Sequence, residues 1–338
     1  VRRIKILADL VPYVTDRPQD GRLSFLARDP DGGRHEIAVR VAVVPSSRGE
    51  KITLRLAGDA RARSLDSLGW SIDDRQRFEK LLSQPQGMIV LTGPTGCGKT
   101  TTLYSALGHL HASPAGRALA SIEDPVEVDL PFVQQTAVDR TRGLGFAEAL
   151  RAILRQDPDV LMVGEIRDPE TARIAVQAAL SGHLLLTTLH ADSALGVFPR
   201  LIDLDVEPFL VGSATLACVA QRLLPRLCSH CRHPGRVAPE LRRRATALGL
   251  PDDTTFHTAE GCRACENSGF DGRVGVFEIL HLDSALRRRI AARESVDSLR
   301  AAAHEAGHRS LADAALDAAR RGDVTLRDAL TVLGEDLT

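Results

Sequence analysis

The chain has 338 residues, of which 43% are hydrophobic and 26% charged, and its formal net charge at pH 7 is −1. This composition is ordinary for a globular protein long enough for two domains, and the balanced charge gives no overall attraction to nucleic acid or an anionic membrane. No apolar run approaches the roughly 18 residues that span a bilayer, and the N-terminus lacks the apolar core of a signal peptide. We therefore expect a cytosolic location.

The first part of the chain predicts a small α/β domain, which we place at residues 1–62. RRIKILADL (residues 2–10) has the apolar spacing of a helix. HEIAVRVAVVP (35–45) and KITLRLAG (51–58) each alternate between apolar and polar residues. The short polar turn between them predicts an antiparallel pair of strands. The polar, glycine-punctuated residues 63–70 are typical of a linker.

From Ser71 to the end, the pattern changes to alternating strands and helices. Four apolar segments predict buried strands: GMIVLTG, ALASIEDP, DVLMVGE and LLLTTLH. Helical spacing occurs in GFAEALRAILRQDP and PETARIAVQAALSGH, and the tail from about Asp283 is also helical. This alternation predicts a parallel sheet with helices on both faces.

The octapeptide GPTGCGKT fits the phosphate-binding pattern G-x-x-x-x-G-K-[ST] between a predicted strand and a predicted helix. Its glycines let backbone N–H groups and the helix N-terminus face phosphates. In such loops Lys99 would reach the β- and γ-phosphates, and the Thr100 hydroxyl would bind Mg²⁺. A chance glycine turn before a helix is the alternative. The residues that we expect to bind the nucleotide here are Gly93, Pro94, Thr95, Gly96, Cys97, Gly98, Lys99, Thr100 and Thr101.

Acidic residues follow two of the predicted strands. Glu165 ends an apolar strand, where open parallel sheets bind ligands, and Gly164 occupies the position where such strands mostly carry aspartate. Glu165 alone would then serve the metal and the attacking water. A second acidic group, Glu123, Asp124 and Glu127, ends another strand. For Glu123 and Asp124, capping of a turn is an equally good interpretation.

His183 and His190 lie at the two ends of the strand LLLTTL. A histidine at a strand end is more often structural than chemical. His190 is at the carboxyl end, near the expected γ-phosphate, and is therefore the better candidate for a residue that senses it.

Four of the six cysteines form two C-x-x-C pairs separated by about 30 residues, a pattern that suits a closed, tetrahedral Zn²⁺ site. A disulfide framework does not agree with a reducing cytosol, and a thioredoxin-like centre needs only one pair. Free thiols are the remaining alternative. His230 and His233 flank the first pair and are expected to be bystanders. The predicted zinc ligands are Cys228, Cys231, Cys262 and Cys265, in a subdomain at residues 225–275.

Several motifs in the same order resemble one family, the hexameric ATPases of type II secretion and type IV pilus assembly. The phosphate-binding loop with TTTLY is similar to the family's Walker A motif, with Cys97 where serine is usual. SIEDPVE resembles its aspartate box, and LRQDPDVLMVGEIRD resembles the signature around its Walker B glutamate. GHLLLTTLHADSA resembles its histidine box, and the two cysteine pairs resemble its tetracysteine region.

The resemblance implies a fold and a domain plan. A PAS-like second N-terminal domain would occupy residues 1–62, and a RecA-like P-loop ATPase domain residues 71–338. Residues 225–275 would form its zinc subdomain, and residues 276–338 a C-terminal helical region. The family's first N-terminal domain, which docks these ATPases on membrane partners, has no counterpart here. Since the first residue is Val1 rather than Met, we expect a trimmed piece of a longer protein.

The resemblance also implies roles for individual residues. Glu127 would polarise the attacking water, and Glu165 would complete the Mg²⁺ and water network. His183 and His190 would sense the γ-phosphate. Arg40 and Arg55, which fall on the polar face of the two predicted strands, match arginines that the N-terminal domain supplies to the nucleotide; a merely solvated polar face is the alternative for them.

The function implied is that of a mechanical ATPase. ATP would draw the two domains together, and hydrolysis would let them rotate about a linker near residues 61–68, within a homo-hexameric ring. The ring would drive pilus or pseudopilus assembly from inner-membrane platform and cytoplasmic-ring proteins, so that the chain would lie peripheral to the inner membrane. Because the retraction motors of the family lack the tetracysteine region, pilus extension or protein secretion is favoured.

Two other classes of protein share the P-loop. A RecA-like hexameric motor that acts on nucleic acid is the runner-up, but the near-zero charge and the lack of an aromatic and basic surface argue against it. A binding or scaffold protein with an inactive P-loop is the third. Lys99, Thr100, Glu127 and Glu165 are all present, which favours an active enzyme. Both secretion and pilus assembly agree with these residues.

Overall fold

The computed structural model of the chain describes residues 1–28, 34–56 and 63–332. The chain divides into two compact units, Val1–Arg61 and Ala62–Thr338. Over the described ranges, no helix combines the length and the apolar character needed to cross a membrane.

The first unit is a helix packed on a three-stranded antiparallel sheet of order β1-β2-β3. Its elements are α1 (Arg2–Leu7), β1 (Gln19–Arg28), β2 (Arg34–Ser46) and β3 (Gly49–Leu56). Val39, Val41 and Val43 of β2 are buried on one face, as their alternation predicts. The helix and the β2–β3 pair are thus confirmed. The sequence analysis missed β1 because its second and third residues, Asp20 and Gly21, form a typical turn signal.

The second unit contains the remaining elements. Its strands are β4 (Gly87–Thr92), β5 (Leu119–Glu123), β6 (Gln134–Ala137), β7 (Val160–Val163), β8 (Leu184–Leu189), β9 (Thr215–Leu227), β10 (Arg232–Pro234), β11 (His257–Ala259) and β12 (Phe270–His281). Its helices are α2 (Ile72–Leu82), α3 (Lys99–Ala112), α4 (Phe146–Ile153), α5 (Pro169–Leu180), α6 (Val197–Asp203), α7 (Pro208–Ala214), α8 (Pro239–Ala247), α9 (Ser284–Ala291), α10 (Val296–Glu305), α11 (Leu311–Arg320) and α12 (Leu326–Thr331). The helical character predicted for the tail from about Asp283 is confirmed over the described part of the tail.

A seven-stranded sheet of order β12-β9-β4-β8-β7-β5-β6 forms the centre of the second unit. Strand β12 is antiparallel to β9, and the other neighbours pair in parallel. The predicted parallel sheet is therefore confirmed, with one antiparallel edge strand added. The small β10–β11 ribbon is separate from it.

Helices cover both faces of this sheet, as the continuous apolar strands require. Met88 and Val90 of β4 pack in a cluster with residues of α4 and α5. Ile89 and Leu91, which point the other way, pack in a second cluster with residues of α2 and α3. A third cluster joins α8, α11 and α12 to the outer parts of β9 and β12.

The predicted linker, residues 63–70, belongs to the packed core of the second unit. Leu65 is buried in the cluster that contains α2 and α3. The ring of Trp70 stacks between Phe78 and Phe277, with centroid distances of 5.0 and 3.5 Å. The mostly polar composition of the segment gave no indication that Leu65 and Trp70 pack into the core, where an aromatic ring such as that of Trp70 buries a large apolar area. Residues 61 and 62, the first two of the predicted hinge, lie outside the described residues.

Candidate nucleotide site and cysteine cluster

The phosphate-binding loop connects β4 to α3. Gly93, Gly96 and Gly98 have φ angles of 140°, 78° and 91°, which side-chain-bearing residues rarely adopt. A Cβ at Gly93 would also lie 2.4 Å from the backbone oxygen of Gln221. The loop therefore needs glycine at these positions to turn into the N-terminus of α3, where backbone N–H groups attract anions.

Lys99 and Thr100 occupy the first turn of α3. The Lys99 ammonium group donates to the backbone oxygens of Gly93, at 2.8 Å, and Pro94, at 3.0 Å, so that its positive charge lies across the loop. The Cys97 thiol is buried inside the loop. The motif thus forms a glycine-rich turn into a helix N-terminus, the arrangement on which the prediction of phosphate binding depends.

A buried glutamine on β9 stabilises the phosphate-binding loop, and it is not among the predicted site residues. The Gln221 amide nitrogen donates to the backbone oxygen of Cys97 at 2.8 Å, and its amide oxygen accepts from the Thr102 hydroxyl at 2.9 Å. Gln221 therefore joins the loop to α3 from a strand more than 100 residues away. A glutamine within the apolar run ACVAQRLL was the signal available in the sequence.

Parallel strand order brings the other predicted site residues to the edge that carries this loop. In the order β4-β8-β7-β5, the carboxyl ends lie side by side, about 4.8 Å apart per strand. His190 follows β8, Glu165 follows β7, and the loop with Glu127 follows β5. These residues therefore gather beside the phosphate-binding loop, as expected for an open parallel sheet.

Glu165 is nearly buried, with a side chain 15% exposed. One of its carboxylate oxygens forms an ion pair with Arg167, at 2.6 Å from Nε, and lies 3.9 Å from His190 Nε2. A Cβ at Gly164 would lie 3.2 Å from the backbone oxygen of Ile122, which is tighter than most Cβ contacts. Arg167, Glu165 and His190 thus form one polar cluster at the sheet edge.

The three residues of the acidic segment after β5 occupy different environments. Glu123 is 3% exposed and points into the protein, where side-chain donors surround its carboxylate. Asp124 is 38% exposed and lies 3.8 Å from the guanidinium group of Arg140. Glu127 is exposed on the loop. Asp124 and Glu127 are therefore the exposed members of this segment, and the cap interpretation does not describe Glu123.

His183 requires a correction to the predicted grouping. It precedes β8, at the amino edge of the sheet, where its Nδ1 lies 3.1 Å from the backbone oxygen of Ala178. His190 is at the other end of the same strand, roughly 20 Å away along the backbone. Within one chain His183 therefore does not reach the phosphate-binding loop, whereas His190 lies at the same edge of the sheet as this loop.

Three arginines form a row across the exposed face of the first unit's sheet. Arg22 pairs with Arg40, and Arg40 pairs with Arg55, so that all three lie on one face. Their side chains are exposed, opposite the buried valines of β2. Like charges directly opposite one another on a sheet repel, so this row favours an anion. Arg22 was missed because β1 was not predicted.

The four paired cysteines converge at the end of β9 and before β12. All four sulfur atoms lie within 4.8 Å of one another, and three of the Sγ–Sγ distances are 3.8 to 3.9 Å. A regular tetrahedron with metal–sulfur bonds of about 2.3 Å has edges of about 3.8 Å. The arrangement fits four thiolates around a single tetrahedral metal ion, and it contains no disulfide bond among the described residues.

Backbone N–H groups support the thiolate form of Cys265. Burial by itself would raise the pKa of this thiol, but N–H groups of Cys262 and Gly269 donate to the sulfur at 3.2 and 3.3 Å. Together with hydrogen bonds from Cys262 and Cys231, they lower its pKa to about 6. Isolated Cys218, in contrast, has its pKa raised by burial in the core.

Comparison with known proteins decides the family. The sequence profile of type II/IV secretion system proteins matches residues 1–331. The chain belongs to this family. The resemblance that the motifs carry is therefore confirmed over nearly the whole chain.

Relatives within the family come from several bacteria. The chain is 42% identical over 333 residues to type II secretion system protein HxcR of Pseudomonas aeruginosa. This alignment covers 98% of this chain and 66% of the relative. It is 42% identical over 337 residues to type II secretion system ATPase E of Vibrio cholerae, covering 99% and 65%. For type II secretion system protein E of Dickeya dadantii the identity is 46% over 296 residues, covering 87% and 57%. The chain thus spans 57–66% of the length of these relatives.

Two solved ATPase structures share the fold. The pilus retraction motor PilT with bound ADP aligns with a TM-score of 0.65 and 25% identity, over 92% of this chain and 77% of that one. The ATPase DotB of Yersinia pseudotuberculosis aligns with a TM-score of 0.70 over 98% and 81%, and at 17% identity it supports the fold alone. The predicted fold class is confirmed.

Proposed function

We propose that this chain hydrolyses ATP as the motor of a (pseudo)pilus-assembly machine, in type II protein secretion or type IV pilus biogenesis. The observation that carries the proposal is the convergence of a phosphate-binding loop with Glu165, His190 and the Glu127 loop at one sheet edge. Membership of a family whose relatives are named secretion proteins and a secretion ATPase supports the biological role.

ATP hydrolysis requires groups that bind the phosphates, polarise the attacking water and contact the γ-phosphate, and residues of this chain could serve each purpose. Lys99 and the N-terminus of α3 would bind the phosphates and stabilise the negative charge that develops on them. Glu127, exposed on its loop, would polarise the water that attacks the γ-phosphorus. His190, beside Glu165, would contact the γ-phosphate. Each role follows from the position of the side chain together with the family resemblance.

The chain would also bind two metal ions, each at a separate site. Thr100 and Glu165 supply oxygen ligands, which Mg²⁺ prefers, and Mg²⁺ would neutralise charge on the β- and γ-phosphates. The cysteine cluster would hold Zn²⁺ through four sulfurs and leave no position for substrate, so its role would be structural. The two sites therefore separate chemistry from stabilisation.

The proposed motor acts in an assembly. We infer a homo-hexamer in which ATP binding and hydrolysis rotate the N-terminal unit relative to the RecA-like unit. Platform and cytoplasmic-ring proteins at the bacterial inner membrane would be its partners, and its membrane association would be indirect. The family resemblance supports these inferences.

Phosphate release from ATP tests the proposed function directly. We expect the purified protein to hydrolyse ATP when Mg²⁺ is supplied, and to be inactive when Mg²⁺ is omitted, because the metal neutralises the phosphate charge. Single-stranded DNA should leave the rate within about twofold, since no charge excess attracts it. A lack of Mg²⁺-dependent hydrolysis contradicts the proposal, and strong stimulation by DNA supports a nucleic-acid motor instead.

Replacing Arg40 with alanine tests the role of the first unit. If its guanidinium group binds the nucleotide phosphates, kcat/KM for ATP should fall about tenfold or more, the worth of one charge-assisted hydrogen bond. Lys51→Ala is the matched control, because Lys51 is an exposed cation on the same face of the sheet. An unchanged ATPase rate in Arg40→Ala would exclude this residue as a nucleotide contact.

A further inference from the structure

The end of β5 carries a fully hydrogen-bonded buried carboxylate. One oxygen of Glu123 accepts from the Ser121 hydroxyl at 2.6 Å and from the Gln135 amide at 2.9 Å, and the other accepts from the Tyr104 hydroxyl. A buried carboxylate needs such donors, and these three satisfy it. Glu123 is therefore committed to the interior and does not contribute a free ligand at the sheet edge.

Tyr104 connects this carboxylate to the backbone of Glu127. Its hydroxyl donates to Glu123 and accepts the Glu127 N–H at 3.2 Å, so that both its donor and its acceptor are used. Burial, the hydrogen bond to Glu123 and the charge of that residue raise the pKa of Tyr104 far above its usual value. The hydroxyl therefore keeps its proton, and the link is present throughout the physiological pH range.

Gln135 of β6 holds the other end of the same loop. Its amide oxygen accepts from the Leu130 N–H at 2.7 Å, and its amide nitrogen donates to the backbone oxygen of Val128 at 3.0 Å. Because Gln135 also donates to Glu123, it shares one network with Tyr104. The loop that carries Glu127 is thus anchored at the Glu127 N–H by Tyr104, and at Val128 and Leu130 by Gln135.

The network begins on the helix that follows the phosphate-binding loop. Thr100 and Tyr104 are four residues apart in α3 and therefore lie on one face of it. On this face, the first turn of α3 carries Thr100, a proposed Mg²⁺ ligand. The next turn carries Tyr104, whose hydroxyl accepts the hydrogen bond from the Glu127 N–H. A rigid helix thus fixes the distance between the phosphate-binding end of the site and the residue proposed to act on water.

We propose that Tyr104 is a positioning residue for Glu127, acting through its hydroxyl on the Glu127 backbone. This inference rests on the proposed ATP hydrolysis. Tyr104 contacts neither substrate nor metal in this scheme. If the network served only to satisfy Glu123 in the core, its loss would change stability and leave the chemistry of the folded protein intact.

Tyr104→Phe tests the proposal because it keeps the ring in the core and removes only the hydroxyl. We expect kcat to fall about tenfold or more, since small displacements of catalytic groups are costly. KM for ATP and the Kd for nucleotide should stay within about twofold, because the phosphate-binding residues are unchanged. Tyr13→Phe is the matched control; Tyr13 is exposed in the first unit and should leave kcat unchanged.

A double-mutant cycle separates positioning from general damage. In a Glu127→Gln background, Tyr104→Phe should change the residual rate by less than about twofold, because both changes act through one residue. Additive losses would overturn the proposal.

Gln135→Ala gives a second measurement should Tyr104→Phe fail to fold, and it should lower kcat with KM unchanged. A wild-type protein without ATPase activity would overturn the proposed function and this inference together. An active wild type with normal kcat in folded Tyr104→Phe, or in Gln135→Ala should Tyr104→Phe fail to fold, overturns the inference alone.

Discussion

Replacing Glu127 with glutamine is expected to lower the rate of ATP hydrolysis at least about 100-fold, the usual contribution of a positioned general base. The amide keeps the size and hydrogen-bonding capacity of the side chain, but it does not take up a proton or polarise water as a carboxylate does. Nucleotide affinity should remain within about threefold, because Lys99 and the N-terminus of α3 are untouched. Steady-state phosphate release and equilibrium binding of a fluorescent nucleotide measure the two effects separately.

Asp129→Asn supplies the matched control for this experiment. Asp129 is an exposed carboxylate two residues further along the same loop, so its replacement removes the same charge from nearly the same place. We expect its ATPase rate to be unchanged. Wild-type hydrolysis in Glu127→Gln would remove Glu127 from the mechanism, and an equal loss in both variants would point to the charge of the loop.

Loss of the metal proposed for the cysteine cluster should loosen residues 225–275 and spare the proposed ATP site. In Cys231→Ser we expect the zinc content to fall from one ion per chain to near zero. Structural Zn²⁺ sites bind with apparent free energies of about 10–16 kcal/mol, so their loss removes much of the local stability. Hydrogen exchange should accelerate around β10, β11 and the cysteine loops. The Kd for nucleotide should stay within about threefold, because the core sheet has its own apolar clusters.

Cys218→Ala is the control for this substitution. Cys218 is a buried thiol on β9, outside the cysteine cluster, so its variant should retain one zinc ion per chain. The same experiment tests whether the two sites are coupled through β9. This strand carries Gln221, which hydrogen-bonds to the phosphate-binding loop, only seven residues before Cys228. Loss of nucleotide binding in Cys231→Ser would show that the two sites are coupled through β9.

His183 and His190 separate what the sequence pattern predicted from what the family resemblance implied, because the pattern favoured His190 and the resemblance included both. Both flank one short strand and both belong to the motif that resembles the histidine box. The direction of the strand relative to β4 decides which of them lies at the nucleotide edge, and the parallel pairing of β8 with β4 selects His190. The linker gives a second case, because Trp70 finds its stacking partners on α2 and on β12, about 200 residues later in the chain.

The sequence by itself determined the features that depend on neighbouring residues. Glycines that tolerate positive φ, a lysine and threonine opening a helix, and two C-x-x-C pairs carry their chemistry in their own spacing. Only the tertiary structure decided which distant groups meet: Gln221 with the phosphate-binding loop, and Tyr104 and Gln135 with Glu123. These contacts depend on strand order and on which way each side chain faces in the packed sheet. Apolar periodicity reports burial, and it carries no information about the partner that a buried polar group will find.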